Sequence, residues 1–168
     1  MNNIETDFLI AISTLSIALV ALSGIVGAFR TVKTPYSAQE IEGLKLILEP
    51  SFAAIFLSLI PFPISFTFDG NPHWTWSSLL LTLILLFLMI LNIFRVNSLE
   101  EKGQQAREVW GLKYFLFPFT IIVIALTSLL SFQQNSIAGY SCGLIWLVMV
   151  ATIQFAVFIK RFYIDSKK

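Results

Sequence analysis

Five long apolar runs leave this chain almost no choice of solvent. They occupy residues 8–29, 44–68, 74–94, 112–132 and 137–159. A helix needs about 20 such residues to cross about 30 Å of hydrocarbon. Inside a bilayer every backbone N–H and C=O must find its partner within the protein, which admits only helices and closed barrels. Runs of this length therefore predict an all-α integral membrane bundle of five transmembrane helices. Charged residues make up only 12% of the chain, about half the share found in soluble domains. The 168 residues are then used up as a single transmembrane domain. The first run follows Glu5 and Asp7 rather than a basic leader, so it is expected to remain as a span and not to act as a cleavable signal.

Charge orients the spans. With five crossings, the linkers at 30–43 and 95–111 and the C-terminus share one side. All 11 basic residues lie on that side or at its edge, from Arg30, Lys33 and Lys45 through Lys113 to Lys168. Basic residues near span ends mark the cytoplasm. The expected topology is N-terminus outside and C-terminus inside, in a bacterial inner (cytoplasmic) membrane. The second run holds Glu49, Pro50, Pro61 and Pro63. If it were a re-entrant loop, Arg95, Lys102, Arg107 and Lys113 would fall outside, so it is counted as a crossing.

The chain also repeats itself. Gly43 to Phe52 reads GLKLILEPSF, and Gly111 to Thr120 reads GLKYFLFPFT. Phe29-Arg30 closes the first run, and Phe94-Arg95 closes the third. Each following linker carries a Ser-x-x-Glu helix-start signal, Ser37 with Glu40 and Ser98 with Glu101, in which hydroxyl and carboxylate cap free backbone N–H groups. Short cytoplasmic linker helices are expected there. The pattern suggests two hairpin repeats, 8–68 and 74–132, with an extra span at 137–159. Membrane grammar alone, an interfacial Lys followed by apolar residues and a Pro, would write the same phrases.

Candidate functional residues are few. Glu49 sits inside an apolar run beside Pro50, and a carboxylate at membrane depth usually faces protein or water. Repeated around an oligomer it would make a charged ring able to attract cations or gate a pore. Paired with Lys45 one turn away, it would instead be interfacial. On the first span, Ser13, Ser16, Val20, Ser23 and Gly27 fall at helical spacing, with Ala11, Thr14, Ala18 and Ala21 alongside. Such a face lines a narrow water path or, more commonly, lets helices approach closely. The line Ile12, Leu15, Leu19, Leu22 and Val26 is expected to face lipid. Gly139 and Gly143 form a G-x-x-x-G in the fifth run, and Thr120, Thr127, Ser128 and Ser131 mark the fourth.

Catalysis is not expected. One histidine, His73, and one cysteine, Cys142, give neither a multi-histidine metal site nor an internal disulfide. No phosphate-binding glycine loop or catalytic triad stands out, and no cofactor is implied. The stretch ALVALSGIVGAF, followed by LILEPSFAAIFLSLIPF, resembles small multi-span membrane proteins of bacteria to which no activity is attached. That resemblance spans roughly the first 65 residues. It implies a multi-span fold and brings no site residues.

Two functions fit these expectations. The first is a homo-oligomeric channel or pore-forming subunit, a signal-gated bacterial effector, with Glu49, Pro50, Ser13, Ser16, Ser23 and Gly27 in the pore or gate. Arg30, Lys33, Lys45 and Lys113 would then meet anionic lipid, a cytoplasmic protein or an anionic signal ligand. Nucleic acid is a poor fit because few aromatic stacking residues accompany the basic ones. The second is a non-conducting accessory or assembly subunit of a membrane complex.

Overall fold

The computed structural model describes residues 3–31, 38–67, 72–101, 107–131 and 136–165; some side chains near the helix ends lie outside that description. Apart from Ile60, the described residues are helical. The helices are α1 (Asn3–Thr31), α2 (Ala38–Leu59), α3 (Pro61–Thr67), α4 (Pro72–Glu101), α5 (Arg107–Ser131) and α6 (Ser136–Asp165). Four stretches are long and apolar enough to cross a membrane: Asn3–Ala28, Gly43–Phe66, His73–Arg95 and Ile137–Lys160. In α5 the described apolar stretch is shorter, Leu116–Leu130.

The second apolar run contains a break. Pro61 has no N–H, so it cannot donate to the carbonyl of Leu57 as an uninterrupted helix requires. Ile60 N–H donates to Leu57 O instead, at 3.2 Å, closing α2 with a tighter turn. Pro61 then opens α3, where a missing N–H costs nothing. Pro50 differs, because α2 continues through it. So does Pro118 within α5.

One expected linker helix is corrected outright. Ser98 and Glu101 do not start a new helix; both lie in the last turns of α4. No Gly or Pro occurs between Pro72 and Gly103, and without a breaker the helix propagates through the capping signal. In the first linker the helix beginning at Ala38 is not separate either, but runs directly into the span as α2. Ser37 lies outside the described residues.

The chain divides into two compact units, Met1–Phe62 with Leu147–Lys168, and Pro63–Trp146. In the first, α1 packs against α2; in the second, α4 packs against α5. Helix α6 contributes its C-terminal part to the first unit and its N-terminal part to the second.

The break at Ile60 depends on Pro61, which gives a direct test. Pro61→Ala restores the donor for Leu57 O and is expected to move the Cα chemical shift of Ile60, measured in detergent micelles, into the helical range. An Ile60 shift that stays outside that range would place the cause of the break elsewhere.

Candidate functional site

Hydroxyls fill positions where two membrane helices meet. In the first unit, Ser16 and Ser23 of α1 and Ser51 and Ser58 of α2 are all at most 1% exposed. Within each helix the two serines are two helical turns apart, so they lie along one face. None of the four leaves its proton unpaired. Ser16 Oγ donates to Ile12 O and Ser51 Oγ to Ile47 O, both at 2.8 Å. Ser23 Oγ donates to Val20 O at 2.8 Å and Ser58 Oγ to Ile55 O at 2.7 Å. A hydroxyl that donates within its own helix can be buried in an apolar setting without the several kcal/mol that an unpaired polar group costs there.

The second unit uses hydroxyls between helices as well. Thr82 of α4 and Thr127 of α5 stand 3.2 Å apart, oxygen to oxygen. Trp146 Nε1 of α6 donates to Thr120 Oγ1 of α5 at 3.2 Å, and its indole stacks on Phe119 with centroids 5.8 Å apart. Gly139 and Gly143 press α6 onto this cluster. A Cβ on Gly139 would lie 2.9 Å from Leu130 Cβ and 3.3 Å from Thr127 O. A Cβ on Gly143 would collide with Leu81 Cδ2 and lie 3.2 Å from Thr127 Cγ2. The G-x-x-x-G therefore serves close approach.

The residues singled out for a pore fall in different settings. Ser16, Ser23, Gly27 and Pro50 are buried, while Ser13 and Glu49 are half-buried. Lys45 is exposed on α2, one turn before Glu49. The side chains of Arg30 and Lys113, and all of Lys33, lie outside the described residues. The lipid-facing line expected on α1 is corrected: Ile12 and Leu19 are buried, whereas Leu15 and Leu22 are about half exposed. Ala11, Thr14, Ala18 and Ala21 are exposed. The buried stripe of α1 is thus Leu9, Ile12, Ser16, Leu19, Ser23 and Gly27, rotated from the expected one and mixing large with small residues.

Sequence reasoning also missed an aromatic cluster. His73 is buried at the start of α4 and tilts against Trp74, with centroids 5.1 Å apart. Trp74 in turn meets the fully buried Tyr140 at 5.8 Å. Trp74 thus belongs to the core, while Trp76 is exposed. Asn92, in the apolar part of α4, has its Oδ1 buried without a hydrogen-bond partner among the described residues. Its isolation in a run of Leu, Ile and Met was the one signal available in the sequence.

Magnitudes rank the contacts of the second unit. Overpacking a filled core typically costs about 1–3 kcal/mol, while an interhelical hydrogen bond in a membrane protein averages about 0.6 kcal/mol. Gly143→Ala is therefore expected to destabilise the protein more than Thr127→Val, read from denaturant unfolding in mixed micelles. The reverse order would mean that the Thr82–Thr127 contact, rather than close approach, dominates. No family model, curated protein or solved structure matches the chain, so its function has to be inferred from its own residues.

Proposed function

We propose that this chain is a multi-pass membrane subunit that acts through helix–helix packing and does not itself conduct. The observation that carries this reading is the state of Ser16 and Ser23, the strongest sequence candidates for a water-lined face. Both are fully buried within one chain and donate to carbonyls of their own helix. A pore lining needs hydroxyls turned toward water; these are turned into a packed interior.

The proposed topology has five crossings, N-terminus outside and C-terminus in the bacterial cytoplasm. Its support is the one-sided distribution of the 11 basic residues. Helix α5 spans 25 residues, about 37 Å at 1.5 Å per residue, which is enough to cross as the fourth span. Outward-facing apolar side chains such as Leu83, Phe87 and Leu129 suit lipid or the helices of a partner protein.

A pore built from several copies is the second reading. Its specific support is Glu49, a carboxylate half-buried in an apolar stretch beside the buried Pro50.

Ion flux in liposomes separates the two. Purified protein is expected to leave permeability at the level of empty vesicles, with Glu49→Gln making no difference. Flux that rises with protein and changes in rate or selectivity on Glu49→Gln would establish the pore instead. For the topology, alkaline phosphatase fused after Ser136 is expected to be active and a fusion after Lys102 inactive; the opposite pattern would invert the orientation.

A further inference from the structure

We infer that Asn92 is a contact between two copies of this chain: the copies meet along the C-terminal half of α4, and their Asn92 carboxamides hydrogen-bond to one another. Asn92 lies in the candidate span His73–Arg95, three residues from its end, about 4.5 Å along the helix. It is the only polar side chain between Thr82 and Arg95. The residue is half-buried, yet its Oδ1 is closed off and has no hydrogen-bond partner among the described residues. An oxygen covered in this way is out of reach of lipid headgroups, although the interface is near.

The buried hydroxyls of α4 escape this state by a route closed to an amide oxygen. Ser77 Oγ donates to His73 O and Thr82 Oγ1 to Ser78 O, each four residues back. An acceptor needs a donor instead. In the middle of a helix each backbone N–H is already bound to the carbonyl four residues back, so none is left for Oδ1. An unpaired buried acceptor is destabilising, and in hydrocarbon the missing donor has to come from another helix.

The C-terminal half of α4 is where such a helix can approach. Seven side chains of α4 from His73 to Leu85 are buried, and none from Leu86 to Arg95. Its neighbour α5 is alike: Val123 and Thr127 are buried, and no side chain from Leu116 to Ile122 is. Packing within one chain thus covers the first half of α4 and leaves the half with Asn92 uncovered. A half-buried side chain can turn about χ1 toward a second copy lying there. Two copies inserted in the same direction and related by a twofold axis along the membrane normal bring a helix position against itself. Asparagine suits that place because its carboxamide holds both donor and acceptor: each Nδ2–H donates to the other copy's Oδ1, and no acceptor is left over. A carboxylate or an ammonium would instead repel its own copy. This self-complementarity selects a second copy as the partner. The inference rests on the reading of this chain as a membrane subunit, and it holds for a conducting assembly as well.

Cross-linking in liposomes tests this, with the full-length protein carrying Cys142→Ser. Leu88→Cys stands one turn from Asn92 on the same face of α4. Leu83→Cys, at a position 64% exposed, points to the opposite side of the helix. Each chain then carries one thiol, so a disulfide has to join two chains. Oxidation is expected to give a covalent dimer at position 88 and none at position 83. Association is also read from energy transfer between chains labelled at the C-terminus, as lipid is added. Asn92→Leu is expected to weaken it roughly tenfold, the scale of two interhelical hydrogen bonds, whereas Asn92→Gln, which keeps the amide, is expected to retain it. The comparison of positions 88 and 83 leaves Asn92 in place, so it decides even where Asn92→Leu fails to fold. No dimer at position 88, equal cross-linking at both positions, or association unchanged by Asn92→Leu in the folded protein would overturn the inference. Ion flux through the same vesicles bears on the proposed function alone and leaves this contact untouched.

Discussion

In hydrocarbon a backbone carbonyl cannot turn to water, and this constraint organises the whole molecule. It confines the chain to helices. It also gives each serine and threonine inside a span an acceptor one turn back. Ser16, Ser51, Ser77, Thr82 and Thr120 all donate to the residue four positions earlier. Once its proton is placed, a hydroxyl behaves as a small side chain with a spare lone pair. It can sit in a helix–helix contact at little cost, and it can accept a bond from a neighbour, as Thr120 accepts the indole N–H of Trp146. The buried hydroxyls of these spans are thus compatible with close helix packing.

Between helices the same economy of size holds. Lipid offers apolar side chains an environment as favourable as a neighbouring helix does, so association in a membrane relies on close van der Waals contact and a few hydrogen bonds. Gly139 and Gly143 supply the close contact in the second unit, and there the Thr82 and Thr127 hydroxyls, each within reach of a carbonyl of its own helix, come to 3.2 Å of one another. In the first unit Gly43 faces Phe158 less tightly: a Cβ there would stand 3.5 Å from the ring, an ordinary contact distance. One helix, α6, serves both units, each through a different part of its length.

The helices were legible in the sequence because unbroken apolarity of bilayer-crossing length is the plainest signal a chain can carry. The break near Ile60 was foreshadowed by Pro61 and Pro63. What could not be read was which way each helix turns. Helix α1 carries small residues on two neighbouring lines, and nothing local distinguishes the line that packs (Ser16, Ser23, Gly27) from the one that stays exposed (Ala11, Thr14, Ala18, Ala21). The helix-start signal at Ser98 misled for a related reason. A capping signal acts where a helix has been stopped, and only the first linker offers a stop ahead of its signal, at Pro35. The candidate site was legible as a set of residue types. Whether such residues pack or line water depends on burial, which is set by neighbours distant in sequence.

The most direct test asks whether Ser16 and Ser23 ever meet water. With Cys142 replaced by Ser, cysteines are placed at position 16 or 23 in protein reconstituted into liposomes, and a membrane-impermeant thiol reagent is applied to both faces. The packed hairpin predicts that neither cysteine reacts until the protein is denatured. Rapid labelling of either one in the folded protein would mean that this face lines an aqueous path, and the packing account would be wrong.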